Sequence, residues 1–182
     1  DSATVTVVGA LDATTDNNSG VINLDTLAVT GSVALNTDGS GAATVVNATV
    51  LDFDTSIVGG ALSATATNGS ITDTGVLRIT GASTFTVAGG QNIILGSDNT
   101  FSTVTFVTSG GGPIASVEIN DSNLFELQAL TLTGNLTVTA GGNITDSGTL
   151  TVGGDLAATT DAGSGTINLD TLDVTGSIAL NT

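Results

Sequence analysis

Residues 1–37 return almost unchanged as residues 146–182. Set 145 residues apart, the two stretches are identical at 27 of 37 positions, and the hexapeptide at 22–27 recurs at 167–172. Repetition over a fixed period is typical of repeat arrays, in which each unit packs on its neighbours. The two stretches therefore predict one continuous repeat structure over residues 1–182. We expect it to be a segment of a longer tandem array, with both ends covered by further copies.

Short stretches of alternating apolar and polar residues recur along the chain. Leu27 and Val29 flank Ala28, and the copy has Leu172 and Val174 around Asp173. Alternation with period two predicts strands that bury one face. The stretches lie roughly 20 to 28 residues apart and are separated by clusters of Gly, Asn, Asp and Ser, which favour turns. Glu and Lys are scarce, which disfavours helices.

These features predict an all-β fold, a parallel β-solenoid (right-handed β-helix) with coils of about 20–25 residues. Leu27, Val29, Leu172 and Val174 should point inward, with the intervening Thr and Asp residues outward. Gly and Asn can occupy left-handed conformations at the corners, and stacked Asn side chains can form hydrogen bonds from coil to coil. An array of antiparallel sandwiches is the competing fold. Such domains usually repeat at about 100 residues with Tyr, Trp and Pro at fixed points, and this chain has no Tyr, no Trp and one Pro.

Charge excludes two classes of partner. The net charge is −16, and Arg78 is the one basic residue. Nucleic acids require clusters of Lys and Arg, and anionic membrane surfaces attract the same residues. The sequence contains no run of 18 apolar residues, so it predicts no membrane span. Nor does it show a signal-peptide pattern. We expect neither a nucleic-acid nor a membrane partner.

Most of the chain carries a family resemblance, which residues 141–156 illustrate. Residues 141–156, Gly-Gly-Asn-Ile-Thr-Asp-Ser-Gly-Thr-Leu-Thr-Val-Gly-Gly-Asp-Leu, resemble the degenerate repeats of filamentous haemagglutinin-like exoproteins of two-partner secretion. The resemblance implies a right-handed parallel β-helix, export through an outer-membrane transporter, and a role as an adhesin or extracellular fibre. It also implies an extracellular or bacterial cell-surface location.

Catalysis has little support in the residue types. The chain lacks His, Cys, Lys and Tyr, so carboxylates are the available acids and bases. Asp52 with Asp54, or Glu118 with Glu126, could in principle form the two-carboxylate pair of a glycosidase. We expect these to be solvated side chains on outer faces, and the protein not to be an enzyme.

Calcium is the one metal that the available oxygen ligands suit. Asp52 and Asp54 are expected on the same side of a strand and are the candidate ligands, and turns at Asp16 and Asp161 carry further oxygen atoms. The chain has neither the nonapeptide of calcium-binding β-rolls nor EF-hand spacing. We therefore expect no cofactor, with calcium on the acidic surface as the alternative.

The sequence predicts a structural segment of a bacterial filament or adhesin stalk. We expect the chain to associate with copies of itself, through adjacent repeats or by end-to-end stacking into fibres. One alternative is an adhesin module that binds a protein receptor or a carbohydrate through the loop at 109–115. A second is ice binding by ranks of Thr, because Thr-x-Thr pairs occur at residues 65/67, 84/86, 103/105, 131/133 and 149/151.

Overall fold

The computed structural model describes residues 3–16, 18–161 and 165–182, and this part of the chain consists of strands joined by short turns and bends. It includes no helix long and apolar enough to cross a membrane. The strands are β1 Val5–Val7, β2 Leu11–Thr14, β3 Ile22–Val29, β4 Ser32–Asn36, β5 Ala43–Asn47, β6 Leu51–Phe53, β7 Ser56–Val58, β8 Leu62–Ala66, β9 Ile71–Asp73, β10 Leu77–Ile79, β11 Ala82–Ala88, β12 Ile93–Asn99, β13 Thr103–Ser109, β14 Val117–Asp121, β15 Phe125–Leu127, β16 Leu130–Leu132, β17 Leu136–Ala140, β18 Ile144–Asp146, β19 Leu150–Val152, β20 Leu156–Thr160, β21 Ile167–Asn168, β22 Leu172–Val174 and β23 Ile178–Asn181.

Strands pair in parallel from coil to coil. Ile93 of β12 pairs with Val117 of β14, and Val117 pairs in turn with Leu136 of β17. The chain thus returns to the same position about every 21 residues and forms about eight coils. The prediction of a parallel β-solenoid is confirmed.

Four sheets run along the stack of coils. The largest follows the order β10-β7-β4-β6-β9-β12-β14-β17-β20-β23, with β2 also paired to β4. A six-stranded sheet follows the order β1-β3-β5-β8-β11-β13. Two three-stranded sheets, β15-β18-β21 and β16-β19-β22, complete the later coils. One sheet system therefore ends at β13 and another begins at β15 and β16.

Each later coil contains three short strands. The coil that begins with β17 continues through β18 and β19, and β20 then stacks on β17. In β17, the side chains of Leu136, Val138 and Ala140 are buried, whereas Thr137 and Thr139 are partly exposed. β-branched residues suit such half-buried strands, so the alternating pattern directly sets which face packs.

The inward residues of successive coils form one apolar cluster. Leu27 and Val29 are buried as predicted, and Leu172 and Val174 are partly buried and pack against the same cluster. Aromatic rings pack edge to face within it. The Phe53 and Phe85 centroids lie 6.4 Å apart, and those of Phe85 and Phe101 lie 5.8 Å apart. Such pairs add stability beyond their buried area.

Most glycines at the corners lie where neighbouring coils come too close for a side chain, and they do not have left-handed backbone. A Cβ atom on Gly81 would lie 2.6 Å from the backbone nitrogen of Ala61 in the preceding coil. One on Gly153 would lie 2.5 Å from the carbonyl oxygen of Thr133. Positive φ among the described glycines is confined to residues 9, 39, 90, 110, 111 and 112. Left-handed backbone therefore accounts for a minority of the corner glycines, and contact between coils at the turns excludes a side chain at most of the others.

Polar side chains at one corner bond to the backbone of the next coil. At each step a side-chain oxygen accepts the backbone N–H of the residue one coil later, as when Asn135 Oδ1 accepts from Asp155 at 2.9 Å. We call these residues the corner column: Ser70, Asn92, Ser116, Asn135, Asp155 and Ser177. We expected Asn side chains to bond to one another, but here each oxygen meets a backbone N–H. The column satisfies donors where the chain bends between faces.

A buried amide plays a similar part inside the stack. Asn47 is fully buried, its Oδ1 accepts the Val29 N–H at 2.9 Å, and its Nδ2 donates to the Val29 carbonyl at 3.0 Å. Nδ2 also donates to the Val50 carbonyl at 2.6 Å. The side chain thus reproduces the two hydrogen bonds of a neighbouring peptide group at a point where the backbone ladder shifts register.

Replacing this amide should be costly. Asn47→Ala leaves the Val29 N–H and carbonyl buried without partners, so we expect a loss of about 2–3 kcal/mol in the free energy of unfolding. Asn68→Ala, at an exposed turn, should cost about 0.5 kcal/mol or less. Urea denaturation followed by circular dichroism measures both, and equal losses would show that the buried amide has no special role.

Inward and outward positions of one strand should differ sharply in tolerance. Leu136→Asp places an unpaired carboxylate in the core, and we expect a loss of about 4 kcal/mol or more. Thr137→Ser, the neighbouring outward position, should change stability by about 0.5 kcal/mol at most. If the two variants unfold at the same urea concentration, the assignment of the inward face is wrong.

Candidate functional site

Asp52 and Asp54, the predicted calcium ligands, lie outside the core around the end of β6. The Asp52 carboxylate accepts hydrogen bonds from Thr72 Oγ1 at 2.8 Å and Thr74 Oγ1 at 3.0 Å. Asp54 follows the strand and accepts the Thr55 N–H at 2.7 Å. Both carboxylates thus have partners within the fold. Calcium binding by this pair stays a prediction.

The other acidic candidates are dispersed. Glu118 is exposed on β14, whereas Glu126 is exposed on β15. Asp16 and Asp161 are exposed, and their neighbours at residues 17 and 162–164 lie outside the described residues. Within the described ranges, no three acidic side chains gather as a metal-ligand group.

Arg78 lies within the paired strand β10. Its backbone pairs with Ile57 on one side and Thr100 on the other. The adjoining Ile79 N–H donates to the Thr100 carbonyl at 2.9 Å. The one basic residue of the chain is therefore held between two coils, with its side chain exposed.

Some of the predicted Thr pairs do form ranks along the six-stranded sheet. Thr65 pairs with Thr86, and Thr84 pairs with Thr105, so outward hydroxyls stack from coil to coil. The Thr103 position pairs with Ala82, and the sheet ends at β13. The ranks on this face extend over only a few coils.

The loop at 109–115 is exposed at its tip and anchored near its end. Gly110, Gly111 and Gly112 all have positive φ, which other residues adopt only with strain. The Pro113 carbonyl accepts the Gly90 N–H at 2.9 Å, and the Ala115 N–H donates to the Gln91 carbonyl at 2.8 Å.

A cleft of about 100 Å³ opens where one sheet system gives way to the other. We call it the junction cleft. β13 is the terminal strand of its sheet on one side, and β15 begins another sheet on the other side. A single side-chain bond, from Thr105 Oγ1 to Gln128 Oε1 at 3.1 Å, links β13 to the segment after β15. The lining residues are Phe101, Ser102, Thr103, Val104, Asp121, Leu124, Phe125, Glu126 and Gln128.

Asp121 is the buried acid of this cleft. It is 1% exposed, and its Oδ1 accepts the Asn123 N–H at 3.0 Å and the Phe101 N–H at 3.4 Å. Among the described residues, no hydrogen bond reaches its Oδ2. Burial raises the pKa of Asp121, the hydrogen bonds offset part of this rise, and the negative charge of Asp98 adds to it.

A second acid, Asp73, lies close to the same corner. Its Oδ2 accepts a bond from Asn99 Nδ2 at 2.7 Å, and the Ser97 N–H also points to the carboxylate. Burial raises the pKa of Asp73 despite these hydrogen bonds. The two acids with a raised pKa thus lie two coils apart, with Asn99 in the coil between them.

Two acids of the later coils have the opposite tendency. The Ser177 backbone and hydroxyl donate to Asp155 and lower its pKa. Slight burial opposes ionisation of Asp146, but hydrogen bonds from Asp170 and Thr171 outweigh it and lower the pKa. Asp155 is exposed and Asp146 partly exposed, and both carboxylates accept hydrogen bonds from the following coil.

Sequence reasoning passed over Asp121, although a signal was present. Val117 and Ile119 are inward residues of β14, and the alternation continues to Asp121. The same pattern places Asn47 after Ala43 and Val45 in β5. A polar residue at the inward phase of a strand could have marked both positions.

Most of the chain matches a family of repeats. Residues 40–108 and 115–181 match a family profile described as repeats of unknown function (DUF5649). The segment between the two matched stretches, 109–114, lies in the loop that follows β13. No curated protein and no solved structure matches the sequence.

Trypsin tests the placement of Arg78, the one basic residue and so the one cleavage site. Because its backbone is paired on both sides, we expect the chain to remain intact over hours of digestion. Asp38→Lys adds a site in the exposed turn between β4 and β5, and this control should be cut rapidly. Mass spectrometry identifies the products; cleavage at Arg78 as fast as at residue 38 would place Arg78 in an open loop.

Opposite pKa shifts predict opposite pH dependences. Asp121 has a raised pKa, so its ionised form destabilises the fold at neutral pH, and this cost disappears as the pH falls below the unfolded value near 3.8. Asp121→Asn should therefore raise Tm at pH 7 in metal-free buffer, by about 2–4 °C for each 1 kcal/mol relieved. The gain should vanish near pH 3.

Asp155→Asn is the matched variant with a lowered pKa. Its carboxylate contributes stability above pH 3.8 that is lost as the pH falls through the folded pKa. This variant should melt below the parent at pH 7 and approach it in acid. Melting curves between pH 3 and pH 7 decide the matter, and a shift of the same sign for both variants would contradict the assignment.

Proposed function

We propose a structural function for this chain, which belongs to the family of repeats described as DUF5649. In this proposal it is a non-catalytic segment of a stiff rod, part of a bacterial filament or adhesin stalk. Its activity is mechanical, since stacked coils resist bending and their number sets the length.

The observation that carries the proposal is the axial ladder. One face presents a row of seven parallel strands, one from each successive coil: β6, β9, β12, β14, β17, β20 and β23. Adjacent strands in a sheet lie about 4.8 Å apart. Every coil added therefore lengthens the object along one axis and leaves its cross-section unchanged.

Self-association is supported by the two copies of the repeated stretch. Val33 and Leu35 in the first copy are fully buried, and β4 pairs there with strands of the following coil. Their equivalents, Ile178 and Leu180, are 50% and 52% exposed on β23. A coil like that of residues 43–58 would cover β23 as it covers β4. We propose that such a coil is supplied by an adjacent repeat or, by end-to-end stacking, by a second chain.

The surface charge is compatible with separate rods. The chain carries 17 acidic residues and one basic residue. Like charges on neighbouring rods repel one another across solvent, and salt screens this repulsion beyond about 10 Å. Stacking along the axis would thus be favoured by apolar contact, whereas sideways association would be opposed by charge.

The proposed location rests on the resemblance of residues 141–156 to filamentous haemagglutinin-like repeats. By that resemblance the rod would be exported and would stand on the bacterial surface or in an extracellular matrix. The family match describes the repeats only, so this resemblance is the basis of the proposed location.

Rod length as a function of repeat number tests the proposal. Polypeptides are made that continue residue 182 with one or two further copies of residues 38–182. If coils stack without interruption, each copy should add about 33 Å, or roughly seven coils at ~4.8 Å, at constant cross-section. Small-angle scattering and electron microscopy measure both. Flexibly linked beads, with no constant increment, would contradict a structural rod.

A further inference from the structure

The junction cleft lies between the two family repeats. Phe101, Ser102 and Thr103 come from the first matched stretch, and Asp121, Leu124, Phe125, Glu126 and Gln128 from the second. The backbone ladder that joins other coils on this face is missing here, since β13 and β15 belong to different sheets. Oxygen-bearing side chains from both repeats therefore face a shared space.

Comparison of two corners shows what is unusual about Asp121. Asn99 pairs with Asp121 in the ladder, and each lies inward and fully buried. Each accepts a backbone N–H from the preceding coil: Asn99 Oδ1 from Leu77 at 2.7 Å, and Asp121 Oδ1 from Phe101 at 3.4 Å.

The two side chains differ in their second polar atom. Asn99 Nδ2 donates to Asp73 and to the Leu95 carbonyl. Asp121 Oδ2 has no such partner among the described residues, and Asp121 lines the open cleft. An amide would supply the same N–H acceptor without a buried negative charge. The hydrogen bond from the Phe101 N–H therefore does not explain why this position carries a carboxylate and not an amide.

The other polar groups of the cleft suit a hard cation. Glu126 adds a second carboxylate, Gln128 Oε1 is a neutral oxygen, and Ser102 and Thr103 carry hydroxyls. Calcium takes six to eight oxygen ligands from carboxylates, carbonyl groups and water. Phe101, Val104 and Phe125 are buried apolar residues of the lining, and such surroundings strengthen the attraction between a carboxylate and a cation.

From this arrangement we infer that the junction cleft binds a single divalent cation of calcium's size. Asp121 Oδ2 is the buried ligand, Glu126 is the solvent-side ligand, and neutral oxygens and water complete the shell. The ion would offset the charge of Asp121 and tie the first repeat to the second where backbone pairing is absent. This site is distinct from Asp52 and Asp54, which lie around the end of β6 and do not line the cleft.

Calorimetric titration of the chelator-treated 182-residue chain with calcium chloride tests the inference. We expect one saturable site in the parent and at least tenfold weaker binding in Asp121→Asn. Asp121→Asn retains Oδ1 for the Phe101 N–H, so the corner should persist, and circular dichroism checks this. Glu126→Gln changes an exposed residue and should also weaken binding. Asp173→Asn changes an exposed acid of β22 that lies outside both candidate calcium sites, so this matched control should bind as the parent does.

Melting curves provide a second readout. A ligand that binds only the folded chain raises Tm, so calcium should raise Tm for the parent and for Asp173→Asn but not for Asp121→Asn. Without calcium, Asp121→Asn should melt above the parent. The inference is overturned if the parent shows no saturable binding, if Asp121→Asn and Glu126→Gln bind as tightly as the parent, or if Asp173→Asn loses as much affinity as Asp121→Asn.

Discussion

Coil-to-coil hydrogen bonding along the axis is the constraint on which the structure depends. A parallel ladder persists only if each coil returns to the same place, yet the chain must turn corners where backbone groups lose their partners. Side chains fill those places: the corner column, which includes Asn135 and Asp155, accepts backbone N–H groups from the next coil. Asn47 replaces a whole peptide group inside the core. Glycines at the turns, such as Gly81, allow the coils to approach.

The regular part of this fold could be predicted from the sequence because its signals are local. Alternation marks the strands, turn clusters mark the corners, and the spacing between equivalent stretches gives the coil length. The corner column is also local in hindsight, since Asn92 and Asn135 each directly precede the first apolar residue of a strand. We had assigned glycine to backbone conformation, but Gly153 is required by contact with Thr133 one coil earlier, and contacts between coils follow only from the three-dimensional register.

The candidate site was harder to predict because it arises from a defect in the repetition. Asp52 and Asp54 were predicted as calcium ligands because they are close in sequence. In the structure each of them accepts hydrogen bonds within the fold. Asp121 lies where a long coil, 93–116, is followed by a shorter one, 117–135, and this change in coil length accompanies the shift from one sheet system to another. The proposed mechanical function and the proposed cation site are thus connected: a rod of stacked repeats depends on a continuous ladder, and at the junction cleft another interaction could replace the missing ladder.

Distances between spin labels test the central claim, a single stack of parallel coils, most directly. The chain has no cysteine, so introduced cysteines are labelled specifically. Residues 52, 72, 94, 118, 137, 157 and 179 are successive partners on one outward row. Pulsed electron paramagnetic resonance on the pairs 52/137, 52/157 and 52/179 should give about 19, 24 and 29 Å, an increase of ~4.8 Å per coil. Distances that do not rise in equal steps would contradict the solenoid.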